Sequence, residues 1–190
     1  MSTAVHEIEV IQRSDRVEAL FEPYRDVIGA DLPGYRNHVY RTLTYAMHLL
    51  SRDEAARPVV ETALVYHDIG LWTDAELAYL EPSEAKVRED AERHGWGLDI
   101  DLAVAAIHWH HKVTRYRGKG APIVEAIRRA DWIDATQGRV RKGLTRQQIA
   151  KVEADIPNEG FHDALQRLAV ELGGSALRGN LRVLRRVFKW

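Results

Sequence analysis

The chain places a histidine and an aspartate side by side at the end of an apolar run, ALVYHDIGLW, which covers residues 63–72. His67 shares the helical face of Val60 and Leu64, and Asp68 lies one turn beyond Leu64. Burying such a pair is costly unless a partner compensates its charge. A divalent cation could do so, because imidazole nitrogen and carboxylate oxygen are both ligands of such metals.

Two more polar residues lie at the margins of apolar faces on other predicted helices. His38 is at the edge of its apolar stripe, and Asp131 follows Ile127 by one turn. The four candidate metal ligands are therefore His38, His67, Asp68 and Asp131. Because the chain has no cysteine, this set suits Zn, Fe, Mn, Ni or Mg better than soft-metal chemistry. Asp134 is an alternative ligand one turn further on, although a supporting role is the favoured interpretation.

A second group of reactive side chains follows in AAIHWHHKVTRYRGKG, residues 105–120. His110 and His111 extend the apolar face of their predicted helix and are candidates to contact a substrate. Lys112 and Arg115 follow in a basic loop, and such side chains suit an anionic, phosphorylated substrate. Most basic runs are solvated surface, and Lys112 is the stronger candidate because it directly follows the histidines.

Helical periodicity recurs along the whole chain, and no alternating run predicts a strand. The predicted helices cover about residues 5–21, 39–50, 59–69, 82–93, 98–111, 122–133, 145–154, 161–172 and 175–189. Gly70 is expected to end the third of them as its C′ residue. No linker, repeat or low-complexity segment divides the sequence. We therefore expect one all-α domain over residues 1–190, with a helical C-terminal extension at 145–190.

Composition argues against several classes of function. The chain has 27 basic and 28 acidic residues and a formal net charge of -1, so we expect no nucleic-acid partner. No signal peptide and no membrane-spanning run is evident, which predicts a cytoplasmic protein without a membrane partner and leaves a homo-oligomer open. The basic amphipathic segment at 177–190 is expected to pack its apolar residues on the body of the protein.

The order His38, His67-Asp68, Asp131 resembles that of the HD superfamily of metal-dependent phosphohydrolases. The similarity extends to the surrounding sequence over about residues 34–137, in YRNHVYRTLTYA, ALVYHDIG and AIRRADWIDA. It implies a single-domain HD-type helical bundle in which the four residues bind one divalent metal, and in which Asp68 also orients a metal-bound water. The implied activity is hydrolysis of a phosphate ester or nucleotide-like anion.

One departure from the HD pattern concerns a second metal. HD relatives with two metals have one histidine where His110 and His111 lie here, and another that opens the preceding helix. That helix begins here with EPSE and has no histidine at its start, although Glu81 or Glu84 could replace the imidazole; His94 lies too late on the helix and is expected to be exposed. A dinuclear iron oxygenase, which shares the scaffold, is therefore an alternative and not the main prediction.

A second departure follows the doublet. Many HD proteins carry a lysine soon after it, and some nucleotidases carry a glutamate where this chain has Leu71. Asp74 or Glu76 would then have to transfer protons from the loop. This departure gives weight to a second alternative, a non-catalytic HD protein that binds a metal or ligand.

Overall fold

The computed structural model describes residues 7–173, which are all-helical and contain no β-strand. The α-helices in that range are α1 (Asp15–Phe21), α2 (Arg25–Ile28), α3 (Leu32–Leu49), α4 (Arg57–Tyr66), α5 (Gly70–Thr73), α6 (Leu80–His94), α7 (Ile100–Trp109), α8 (Ala121–Ala135), α9 (Arg146–Asp155) and α10 (Phe161–Gly173). Short 3-10 turns at Glu22–Tyr24 and Gly29–Asp31 link the first three. The predicted all-α class is confirmed.

Four helices, α3, α4, α7 and α8, form the central bundle, and the most extensive packing joins α3 to α8. Each contributes a side chain with no exposed surface to one continuous core: Leu43, Leu64, Ile107 and Ile127. Helix α6 covers α4 and α7, α1 packs on α4, and α10 lies against α3. The predicted apolar faces of these helices thus pack together in one core. The polar residues at the margins of these faces are therefore close to one another.

The N-terminal segment differs from the predicted helix at 5–21. Residues 7–14 are not helical, and α1 begins only after Ser14, whose side chain accepts a hydrogen bond from the Val17 N–H. The preceding segment lies along α3, where the Ile11 N–H donates to the Thr44 hydroxyl (3.0 Å) and the Ser14 N–H to the Tyr40 hydroxyl (3.0 Å). These bonds satisfy backbone groups that a longer helix would have paired internally.

Gly70 also differs from the prediction, since it is not a helix C′ residue. Helix α4 ends at Tyr66, and Gly70 begins the short helix α5, so the chain directly after the predicted helix is helical again. A Cβ at this position would lie 2.5 Å from the Tyr79 carbonyl oxygen, closer than packed atoms tolerate. The glycine therefore permits a close approach between two backbones, not a left-handed turn.

We expect Gly70→Ala to destabilise the protein by about 1–3 kcal/mol, because the added methyl overpacks against backbone that cannot rotate away. Gly97→Ala is the matched control, since a Cβ there would meet nothing within 4 Å and no positive φ opposes it. The control should be neutral or slightly stabilising. Urea unfolding of both variants measures the difference, and equal free energies of unfolding would contradict the close contact.

The predicted helix at 175–189 lies outside the described residues. The described part of the predicted C-terminal extension consists of α9 and α10. None of the helices between residues 7 and 173 combines the length and the hydropathy that crossing a bilayer requires.

Candidate metal centre

The central bundle brings six histidines and aspartates together. His38 lies within α3, His67 and Asp68 directly follow α4, the His110-His111 pair directly follows α7, and Asp131 lies within α8. Five of the six are at most 4% exposed, and His111 is partly buried. This cluster contains all four of the ligands predicted from the sequence and both of the additional histidines.

The first group in the cluster consists of His38, His67, Asp68 and Asp131. The His67 Nε2 atom lies 3.0 Å from His38 Nε2 and 3.3 Å from Asp68 Oδ2. Asp131 Oδ1 lies 3.5 Å from His38 Nε2 and 3.7 Å from His67 Nε2. Ligand atoms bound at about 2.1 Å to one ion are about 3.0–3.4 Å apart, depending on geometry. His38, His67 and Asp68 could therefore hold a metal ion, with Asp131 beside them.

The hydrogen bonds behind the two histidines fix which ring nitrogens face the cluster. His38 Nδ1 lies 2.7 Å from a carboxylate oxygen of Asp134, and His67 Nδ1 lies 2.6 Å from the Leu64 carbonyl oxygen. Both partners accept, so each Nδ1 carries a hydrogen, and each Nε2 presents a lone pair when its ring is neutral. Two lone pairs that face each other at 3.0 Å repel unless a proton or a cation lies between them.

The electrostatics of the cluster favour positive charge between the Nε2 atoms of His38 and His67. Burial disfavours the charged form of His67, yet Asp68 and Asp131 raise its pKa to about 9. Burial lowers the pKa of His38 and raises that of Asp131. A divalent ion would compete with the His67 proton for the same lone pairs, as metals do wherever ligands must be deprotonated.

A second group shares Asp68 with the first. Asp68 Oδ1 lies 3.4 Å from His110 Nε2, and Asp131 Oδ2 lies 3.4 Å from His111 Nδ1. His110 donates from Nδ1 to the Ile107 carbonyl (2.6 Å), so its Nε2 also presents a lone pair. Within the described chain, Asp68 Oδ1, His110 Nε2 and Asp131 Oδ2 are buried without a hydrogen bond. Asp68, His110 and His111 could therefore hold an ion as well.

Asp134 lies behind His38 and not among the atoms that face the cluster. Its Oδ2 accepts from His38 and from Arg41 Nη2 (2.8 Å), and its Oδ1 accepts from Arg41 Nε (2.5 Å). Burial would raise the pKa of Asp134, but the hydrogen bonds from Arg41 and His38 hold it well below its ordinary value. The Arg41 Nη1 group donates to the carbonyls of Ile156 and Pro157, so the guanidinium is anchored on both sides.

Aromatic side chains orient His38 and the His67-Asp68 doublet, by ring stacking at the first and by hydrogen bonds at the second. The Phe161 ring stacks on His38 with centroids 4.2 Å apart, and the Tyr35 ring stacks on Phe161 at 6.1 Å. The Tyr35 hydroxyl donates to the Val65 carbonyl (2.8 Å) and accepts from the Asp68 N–H (3.3 Å). These contacts hold the chain where α4 ends, which sets the direction of the Asp68 side chain.

Tyr79 also contacts the cluster, and it was not among the residues predicted from the sequence. It is buried, and its hydroxyl lies 2.6 Å from His111 Nε2. The predicted replacements for a second-metal histidine lie elsewhere, since Glu84 pairs with His108 (2.8 Å) and Glu81 is exposed. Tyr79 lies in a loop, where no periodicity points to a partner, and this is why sequence analysis missed it.

The other residues proposed from the sequence do not join the cluster. The Arg115 side chain is 77% exposed and lies 4.0 Å from Glu125. Lys112 is partly buried, and its carbonyl accepts a hydrogen bond from Arg128 Nη1. Asp74 and Glu76, the loop carboxylates proposed for proton transfer, are exposed. A substrate contact by Lys112 or Arg115 stays a prediction.

Comparison of the chain with protein-family models, curated proteins and solved structures gave no match. The function must therefore be inferred from the geometry of the cluster and from the resemblance of its motifs to those of the HD superfamily.

Proposed function

We propose that this protein is a metal-dependent hydrolase of the HD type that cleaves a phosphate ester with a metal-activated water. His38, His67, Asp68 and Asp131 would hold the ion. The observation that carries the proposal is the pair of histidine Nε2 atoms that face each other at 3.0 Å, next to two buried carboxylates. Such an arrangement is costly in a protein core unless a proton or a metal ion lies between the two nitrogens.

The bound ion would lower the pKa of a water and polarise a phosphoryl oxygen. The side chains of the protein would orient the water and transfer the proton. Asp68 would orient the water with the oxygen that faces away from His67, because that atom has no hydrogen bond among the described residues. Hydrolysis joins the water oxygen to phosphorus, breaks the bond from phosphorus to the ester oxygen, and moves one proton from the water to the departing alcohol. Tyr79 and His111, which are hydrogen-bonded at 2.6 Å, would deliver that proton.

We expect Asp68→Asn to lower kcat/KM by at least about 100-fold, because the amide removes a charged ligand and the acceptor that orients the water. Activity should first be sought with phosphate monoesters, phosphodiesters and nucleotides in the presence of Mn, Fe, Zn, Ni or Mg. Asp163→Asn, the same change at an exposed position, is the control and should keep full activity. An Asp68→Asn enzyme as active as the parent would remove Asp68 from the mechanism.

The screen also tests the non-catalytic alternative. Binding of a phosphate compound without turnover under any of the five metals would favour a sensor or binding protein. Leu71, where some nucleotidases have a glutamate, is buried against the cluster and offers no proton.

A dinuclear iron oxygenase is the second candidate, favoured by the second group of Asp68, His110 and His111. Elemental analysis and electron paramagnetic resonance separate the two. One Mn, Zn, Ni or Mg per chain would support the hydrolase. Two irons per chain with a mixed-valent spin signal would support the oxygenase and displace the hydrolase.

A further inference from the structure

A cavity of about 380 Å³ opens directly on the cluster, and we refer to it as the cluster cavity. One end is polar, since His38, Asp68, Tyr79, His111 and Asp131 all line it. The cavity thus begins at the atoms that would act on a substrate and extends away from them. A substrate that reacts at the cluster must therefore place its non-reacting part in this cavity.

The remainder of the lining is apolar apart from Gln166. Leu71 and Leu77 come from the segment after the doublet, and α10 contributes the facing side chains. The apolar lining includes Leu71, Leu77, Phe161, Leu165, Leu168 and Ala169. No lysine or arginine lines the cavity among residues 7–173, and Lys112 and Arg115 in particular do not. A polyphosphate or a ribose would leave polar groups unpaired against these walls, which is unfavourable.

The wall that α10 forms is held in place. Arg167 Nη2 donates to both carboxylate oxygens of Asp31, at 2.5 and 2.6 Å, and Trp72 Nε1 donates to the same carboxylate at 2.9 Å. At the start of the helix, Phe161 stacks on His38. The apolar lining is therefore part of the fold next to the cluster and not a loosely attached surface helix.

We infer that the cluster cavity binds the apolar body of the substrate, so that the substrate is a small monoester of an apolar alcohol and not a nucleotide. This inference rests on the proposed function for the identity of the reacting head group. The metal and the polar end would take the compact head, and the leucines and Phe161 would take the alkyl or aryl part. The specificity of the site then comes from burial of apolar surface and not from basic side chains.

Binding measurements on the metal-loaded full-length protein test this inference without requiring turnover. The probes are two pairs that share a head group and differ in body: methylphosphonate with phenylphosphonate, and acetohydroxamate with benzohydroxamate. Burial of a phenyl group should tighten binding at least about tenfold within each pair. Adenosine monophosphate should bind more weakly than phenylphosphonate.

Three variants locate the effect. Leu165→Gln introduces an amide into the cavity wall, and Ala169→Phe fills the cavity without adding polarity, so each should abolish the preference for phenyl and keep binding of the small probes. Val170→Gln, on the same helix but 45% exposed and outside the cavity, should keep the preference. If one cavity variant fails to fold, the other still shows whether the preference for phenyl depends on the cavity wall.

The outcomes separate the two proposals. A phenyl preference with hydroxamates alone supports the cavity inference and counts against a phosphate ester as substrate. Equal affinity within both pairs, a preference that survives both cavity variants, or tighter binding of adenosine monophosphate overturns the inference while the metal-centred hydrolase stands. If none of the probes binds the metal-loaded protein, both proposals fall.

Discussion

Purified His67→Ala protein is expected to retain at most about one hundredth of the parent's metal affinity. Loss of an outer-sphere partner already costs about 10–100-fold, and His67 would contact the ion directly. Its Nε2 lies 3.0 Å from His38 Nε2 and 3.3 Å from Asp68 Oδ2, so its removal opens the first group at its centre. Titration of the metal-free protein, followed by elemental analysis after dialysis, measures the loss.

His108→Ala is the matched control for that experiment. His108 lies on α7 close to His110 in sequence, but it is exposed and pairs with Glu84. Its removal should leave metal affinity unchanged, and circular dichroism should show both variants folded. If His67→Ala binds metal as tightly as the parent, the assignment of the first group is wrong, whatever the activity screens show.

Asp134→Ala should be the most destabilising single change at the site. Arg41 is 2% exposed, and the substitution would leave its guanidinium buried beside a neutral methyl. Breaking a buried ion pair in this way costs about 3–5 kcal/mol. Because the pKa of Asp134 is held below its ordinary value, the stabilisation is complete at neutral pH and is lost as the pH falls through the native-state pKa. Guanidinium unfolding of the metal-free protein at pH 7 measures the change.

A double variant separates stability from metal binding. Arg41→Met with Asp134→Leu removes both charges together, which should restore much of the lost stability. It should not restore metal affinity, because His38 Nδ1 would still lack the acceptor that orients the ring, and we expect a deficit of about 10–100-fold. A loss of less than about 1 kcal/mol in Asp134→Ala, or full metal affinity in the double variant, would show that Asp134 does not support the site.

The helical class and the convergence of the cluster could be predicted from sequence for one physical reason. In a helical bundle, the apolar faces must meet, so His38, His67 and Asp131 at the margins of such faces are carried to a common place. The segment before α1 escaped prediction because its apolar residues, such as Ile8, are buried without forming a helix. Their spacing alone does not distinguish the two conformations.

The remaining parts of the site depend on contacts between segments that are distant in sequence. Gly70 has its role only because the Tyr79 backbone crosses it, and the Asp134–Arg41 pair joins α8 to α3. The sequence did contain an indication of that pair. Arg41 follows the candidate ligand His38 by three residues on its helix, and Asp134 follows Asp131 by three residues on another. Tyr79 offered no such signal, because loop residues lack the periodicity that relates position to facing direction.

The division of the cluster cavity between two parts of the fold has an evolutionary consequence. The candidate ligands come from the central bundle, where each is tied to its neighbours by hydrogen bonds and packing. Much of the apolar lining comes from α10, a peripheral helix that holds none of the ligands. If the cluster cavity binds the substrate, as we infer, substitutions on α10 would change which substrates fit while the candidate ligands in the bundle stay constant. A lineage with this arrangement could then change its substrates and keep its metal-binding residues.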